Sequence, residues 1–119
     1  MNQHKLSLES LKLQLREFAT DRNWDQFHSP KNIASALSVE AAELLEPFQW
    51  LTEEQSNNLS PDKLQAVRKE IADVLIYLIR LADKLDVDML QAASDKIVEN
   101  AMKYPVEKAK GSIQKYTDL

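Results

Sequence analysis

The chain has 119 residues, a formal charge of −4 at neutral pH, 44% hydrophobic and 29% charged residues, no cysteine and one glycine, Gly111. That length fits a single domain, residues 1–119, with a modest interior, and the lack of cysteine excludes disulfides, thiol nucleophiles and zinc–thiolate sites. One late glycine argues against Gly-rich phosphate loops and βαβ nucleotide turns, and the negative balance gives no general attraction for nucleic acid or an anionic membrane. Residues Met1–Lys12 lack the apolar core of a signal peptide. No run reaches the ~18 apolar residues of a membrane span, so a cytoplasmic protein is expected; His4 is set aside as a terminal residue.

Four main helices with short connections are expected. The first runs from about Leu8 to Arg22, with Ser7 as N-cap and Leu8, Leu11, Leu15 and Phe18 on one face. A loop from Asn23 to Ser29 carries Trp24, Phe27 and His28, the histidine reading as a loop or capping residue rather than a base. Ser29 and Pro30 start the second helix, which reaches about Trp50; Pro47 removes the amide that would bond the Glu43 carbonyl and should kink or end it. Thr52 and Gln55 stand in capping-box positions of a single turn. Ser60 and Pro61 open the third helix, to about Leu85, and Asp86 or Asp88 caps a fourth that ends before Pro105. The tail from Val106 reads as polar and irregular, with Gly111 at a turn.

Two pairs of acids stand out, Glu40-x-x-Glu43 and Glu70-x-x-Asp73, with 26 residues between them. Acids three apart are neighbours on one helix surface. Taking about 100° per residue, Ile33, Leu37, Ala41, Leu44, Phe48 and Leu51 form one apolar stripe, with Glu40 at its edge and Glu43 a little further round. Val67, Ile71, Val74, Leu78, Leu81 and Leu85 form another, with Glu70 between Val74 and Tyr77 and Asp73 beside it. A solvated acid normally lies opposite such a stripe. Four carboxylates gathered between two packed helices repel one another and resist desolvation, and a divalent cation relieves both. All-oxygen ligation suits Mg²⁺, or Mn²⁺, rather than zinc or iron. The competing view is that E-x-x-E pairs arise by chance on solvated faces of a chain with 19 acidic residues. Glu46 keeps the spacing but has rotated away from the core and reads as solvated.

Ala72, Ile76 and Ile79 give the third helix a second apolar strip. One strip would pack within the chain and the other against a second, identical subunit. Trp24, Trp50, Tyr77 and Tyr104 supply flat faces, and Lys96, Asn100 and Lys103 share one side of the last helix, where they could hold phosphate oxygens. Each also has an ordinary role, as core or interface aromatics and solvated lysines. A ferritin-like di-iron site needs Glu-x-x-His pairs, a Ser-His-Asp hydrolase a strained glycine turn, and an EF-hand an Asp-rich loop; this chain has none of these.

In order and spacing these acids resemble the signature of the MazG-like all-α nucleoside triphosphate pyrophosphohydrolases. The stretch Arg22-Asn23-Trp24-Asp25-Gln26-Phe27-His28 is similar to the segment before the metal helix in the dCTP pyrophosphatase branch, as are Phe48-Gln49-Trp50 and Asp73-Val74-Leu75-Ile76-Tyr77-Leu78 around the acids. Lys103-Tyr104-Pro105-Val106 and Lys115-Tyr116-Thr117-Asp118-Leu119 resemble its closing segments, so the likeness covers nearly the whole chain. It implies an all-α four-helix bundle assembled as a homodimer or homotetramer. It also implies Mg²⁺-dependent cleavage between the α- and β-phosphates of a nucleoside triphosphate, dCTP or a modified dCTP first, in nucleotide-pool cleaning. Glu40, Glu43, Glu70 and Asp73 would hold the metal. Trp24, Trp50 and Tyr77 would meet base and sugar, and Lys96, Asn100, Lys103 and Tyr104 the phosphates. Two departures are visible. Pro47 stands where relatives have an ordinary helix former, and Leu15 where vertebrate members have a histidine, which implies a looser substrate range. The competing functions are dUTP, diphosphate or phosphoribosyl-ATP hydrolysis on the same scaffold, and a non-catalytic helical interaction module.

Overall fold

Capping side chains mark out the helices before any tertiary contact is considered. In the computed structural model, which describes residues 5–119 and so leaves His4 outside, α1 spans Leu8–Asp21. Ser7 and Ser10 cap it reciprocally, each hydroxyl accepting the other's backbone N–H at 3.0–3.1 Å. Asn23 then takes a left-handed conformation at φ 54°, which a short amide side chain tolerates, and Asp25–Phe27 makes one 3-10 turn. Ser29 and Pro30 open α2, Pro30–Leu45, and Ser60 and Pro61 open α4, Pro61–Lys84. Between them Thr52 and Gln55 form the expected capping box on the short α3, Glu53–Ser56. Losing the Ser60 hydroxyl, which accepts the Lys63 N–H at 3.3 Å, is expected to destabilise the protein by about 1 kcal/mol in a Ser60→Ala variant, read by urea denaturation.

The second helix is shorter than expected. It stops at Leu45 rather than near Trp50, because Pro47 offers no N–H to the Glu43 carbonyl. That carbonyl accepts the Glu46 N–H instead, at 3.1 Å, and Leu45 accepts Phe48 at 2.9 Å. The chain thus tightens into i→i+3 turns one turn after the first acid pair.

The chain divides into two compact units, Met1–Asp86 and Val87–Leu119. In the first, α2 and α1 both pack on α4. Ala19, Ile33, Val67, Ile79 and Ala82 are its buried apolar side chains. This partition departs from the two stripes expected on α4. Val67 of the first stripe and Ile79 of the second are buried together, while Ile71, Leu78 and Leu85 of the first and Ala72 and Ile76 of the second are exposed. Two neighbours cover part of a wide apolar arc and leave the remainder, with Leu64 and Leu75, open.

In the second unit Asp88 caps α5, Met89–Lys103, its carboxylate accepting the Gln91 N–H at 3.0 Å. Leu90, Ile97, Val98 and Met102 of α5 are exposed. The tail is more ordered than expected. It forms α6, Val106–Ala109, turns at Gly111 with φ 78°, and ends in a 3-10 turn over Tyr116–Asp118. Among the described residues there are helices and turns but no strand, as an all-α chain requires, and no helix is long and apolar enough to cross a membrane.

Candidate metal centre

The packing of α2 on α4 brings the two acid pairs together. Glu40, Glu43 and Glu70 are half-buried, and each offers a carboxylate oxygen within 4.8 Å of the others. Oxygens on opposite sides of one hard dication lie roughly 4–5 Å apart, so the three span one ion's shell. Oε2 of Glu40 and Oε2 of Glu70 are buried and have no hydrogen-bond partner. A buried carboxylate oxygen without a donor is costly, and a cation is the partner that supplies none of the missing protons yet satisfies both. The donor set is all carboxylate, with no imidazole or thiol among the clustered groups, and fits Mg²⁺ or Mn²⁺ in kind.

Electrostatics agree with the geometry. Removal from water pushes the Glu40 carboxyl above the ordinary carboxylate range, and hydrogen bonding to Glu43 together with the charges of Glu43, Asp73 and Glu70 adds to the shift. Glu70 is raised too, by burial first and then by Glu43, Asp73 and Glu46. Asp73 lies one turn beyond Glu70 on α4, half-buried, and its charge acts on both glutamates, but it stands outside the 4.8 Å group. Glu46 is exposed, as its rotation suggested, though its charge still reaches Glu70.

The aromatic candidates occupy different settings. Tyr77 is half-buried one turn beyond Asp73 on the same helix. Trp50 is 87% exposed on the turn that follows Pro47. Trp24 is half-exposed, edge-on to Phe18 with ring centroids at 5.7 Å and to His28 at 6.4 Å. On α5 the expected side of Lys96, Asn100 and Lys103 also carries Glu99. Both lysines bond its carboxylate at 3.2 Å, which holds the Glu99 carboxyl below its ordinary range, Lys103 contributing most. Tyr104 follows the helix, edge-on to Tyr116 at 6.0 Å, and Lys103 lies 4.9 Å from the centre of the Tyr116 ring.

Sequence reading missed a second charged cluster in the first unit. Arg16 of α1 grips Asp83 of α4 with two bonds of 2.7 and 2.6 Å, which holds the Asp83 carboxyl low. Arg80 is 5% exposed and donates from Nη2 at 3.1 Å both to Asp25 Oδ1 and to His28 Nδ1. Lys84 bonds the same Asp25 oxygen. Lys84 and then Arg80 hold the Asp25 carboxyl below its usual range, and burial, with Arg80 and Lys84 nearby, lowers His28. A polar cavity of about 370 Å³ adjoins this cluster, lined by Arg16, Thr20, Asp25, Arg80, Asp83 and Lys84. Each cationic side chain in that lining already faces a carboxylate. The signal that could have found Arg80 is its spacing: Glu70, Asp73, Tyr77, Arg80 and Lys84 step by three and four along one face of α4.

The chain as a whole is similar to known proteins. The MazG-like family profile matches residues 35–119. The chain is 44% identical over 115 residues to dCTP pyrophosphatase 1 of Mus musculus, a match covering 95% of this chain and 68% of that protein. Against dCTP pyrophosphatase 1 of Homo sapiens it is 41% identical over 115 residues, with the same coverage of 95% and 68%. Among solved structures, a pyrophosphatase from Archaeoglobus fulgidus DSM 4304 aligns with a TM-score of 0.79 at 40% identity, covering 88% of this chain and 98% of that one.

Proposed function

The chain belongs to the MazG-like family and is a nucleotide pyrophosphohydrolase; on that premise we propose that it cleaves the α–β phosphoanhydride of deoxynucleoside triphosphates, dCTP or a modified dCTP first, with Mg²⁺. The products are the nucleoside monophosphate and pyrophosphate, and the use is cleaning of the nucleotide pool. The observation that carries this reading is the pair of orphaned carboxylate oxygens, Glu40 Oε2 and Glu70 Oε2, inside a three-acid cluster.

Glu40, Glu43 and Glu70, with Asp73 beside them, would hold the cation. When bound, a hard dication supplies charge neutralisation for the triphosphate and polarises the phosphorus. The acids themselves do the rest of the work. A carboxylate not fully engaged in ligation can orient a water and accept its proton, and the raised proton affinities of Glu40 and Glu70 suit such a base. Trp24, Trp50 and Tyr77 offer flat faces to base and sugar. The α5 face of Lys96, Asn100, Lys103 and Tyr104 takes the phosphate-contact role that the family implies.

The open apolar arc on α4, with Ile71, Leu75, Leu78 and Leu85, and the exposed Leu90, Ile97, Val98 and Met102 of α5 support a homodimer or homotetramer that covers them. The family match runs through both compact units, which supports one domain over residues 1–119.

The activity test is a panel of nucleotides assayed in Mg²⁺ for pyrophosphate and orthophosphate separately. Pyrophosphate as first product with dCTP among the best substrates is expected. Orthophosphate as first product defeats the α–β assignment, and preference for dUTP or for nucleoside diphosphates moves the protein to a sibling activity.

A further inference from the structure

We propose that Arg80, assisted by Lys84, is a positioning residue that locks the Trp24–His28 turn onto α4 and so fixes the Trp24 ring relative to the acids on the same helix. The role of Trp24 as a base contact rests on the nucleotide activity proposed above; the clamp itself does not.

The turn needs such a device. No side chain of Asp25–Phe27 is buried, so apolar packing does not anchor it. Asn32 of α2 donates to the Phe27 carbonyl at 3.0 Å and Gln26 to the Asn23 carbonyl at 2.9 Å, and the side chains at the two ends of the turn are held by polar contacts converging from α4. Arg80 Nη2 bonds Asp25 Oδ1 at the start of the turn and His28 Nδ1 at its end, each at 3.1 Å. Lys84, one turn on, bonds the same Asp25 oxygen. Asp83 Oδ2, 3.8 Å from Arg80 Nη1, steadies the guanidinium from its own helix.

The chemistry of the pair sets the histidine. Guanidinium nitrogens donate and never accept, so Nδ1 of His28 is the acceptor and the ring proton sits on Nε2. The ring so fixed meets Trp24 edge-on at 6.4 Å, while Phe18 of α1 meets the indole from elsewhere at 5.7 Å. The backbone of Trp24 is tied down as well, its N–H donating to Ala19 at 2.9 Å. Arg80 therefore controls one of the two aromatic neighbours of Trp24.

Stability alone does not explain a guanidinium in this place. A well-packed apolar side chain of similar size would stabilise α4 at least as well. What the guanidinium adds is geometry, since the two protons of its Nη2 lie in a fixed plane and reach both ends of the turn from one point. That point is ten residues beyond Glu70 on a single helix, about 15 Å along its axis. One rigid rod thus carries the acids, then Tyr77, then the clamp.

Two variants test this in the full chain. Asp25 is 61% exposed at its side chain, so Asp25→Ala removes the shared acceptor without taking away a buried side chain; Arg80→Lys keeps the charge and removes the planar amino group. Trp24 is read by acrylamide quenching in a Trp50→Phe background, where it is the remaining tryptophan. Kinetics with dCTP and Mg²⁺ are read in the otherwise native chain. Both variants are expected to increase quenching of Trp24, to raise KM on the order of tenfold and to leave kcat within about twofold. Unchanged quenching in both variants overturns the clamp, whatever the kinetics do. Greater quenching with unchanged KM leaves the clamp standing and removes Trp24 from the nucleotide contacts. An unaltered chain that does not turn over dCTP sinks the substrate reading, and quenching still decides the clamp.

Discussion

Replacing Glu40 and Glu70 together by glutamine is expected to lower turnover at least about 100-fold, equivalent to ~2.7 kcal/mol of barrier, while raising the melting temperature of the metal-free protein. The two effects have opposite sign for one reason. In the folded chain these carboxylates are partly withdrawn from water, repel Glu43 and Asp73, and each keeps a buried oxygen without a donor. Glutamine is nearly the same shape, carries no charge and brings its own N–H donors, so the folded state loses a source of strain. The same change removes two of three clustered ligand groups. Circular dichroism should show the helix content unchanged, and differential scanning fluorimetry without metal should show the rise. Full turnover in the double variant would separate the acids from the chemistry, whereas loss of a protein partner in place of turnover would favour a non-catalytic helical interaction module. A fall in melting temperature would mean that the acids support the fold by contacts other than those seen.

Saturating Mg²⁺ is expected to raise the melting temperature by about 10 °C at neutral pH, and EDTA to reverse it. An ion at 100 times its Kd contributes about 2.7 kcal/mol, which for a domain of this size corresponds to several degrees per kcal/mol. The size of the effect should depend on pH with a defined sign. Glu40 and Glu70 hold protons more tightly in the folded chain than in the unfolded one. Between the ordinary carboxylate range and their raised values, the folded state therefore binds more protons. Their contribution makes the metal-free protein less stable as pH rises through that window. Metal ligation needs the deprotonated forms. The gap between metal-loaded and metal-free melting temperatures should thus widen as pH rises above the ordinary carboxylate range. The carboxyls of Asp25 and Asp83 act the other way: their folded values are depressed, so what they contribute is present above the unfolded carboxylate value and lost on acidification through the folded one. They set a floor that is common to both forms and cancels in the gap. A gap that stays flat with pH would argue that the ion binds away from the glutamates.

Local chemistry was the most legible part of the sequence. Ser29-Pro30, Ser60-Pro61, Thr52 with Gln55 and Asp88 each cap a helix with a side chain close in sequence to the amide it bonds, so no tertiary knowledge is needed. Glu40, Glu43 and Glu70 were legible because two helical spacings put them beside apolar stripes. The limits lay where a distant partner decides. Periodicity marked two apolar strips on α4, without Leu64, Leu75 or the buried Ala82, but which positions are buried depends on where α1 and α2 lie against it, and that joined Val67 to Ile79 across the two expected strips. Arg80 is not singled out when the chain is taken locally, because Asp25, which helps to offset its burial, is 55 residues away. The pairing of Lys96 and Lys103 with Glu99 was within reach, at spacings of three and four, but an anion-binding reading of the lysines overlooked the resident carboxylate.

The imino acid at position 47 has a reach beyond the helix it terminates. By diverting the Glu43 carbonyl to Glu46 it closes the regular rod just past the first pair of ligand groups and sends Trp50 out on an irregular arm, almost free of neighbours. In the role proposed for that indole, recognition hangs from an exposed side chain on a turn outside the regular helix that carries Glu40 and Glu43. On that reading, selection can remodel which base is welcomed without retuning how the bond is broken.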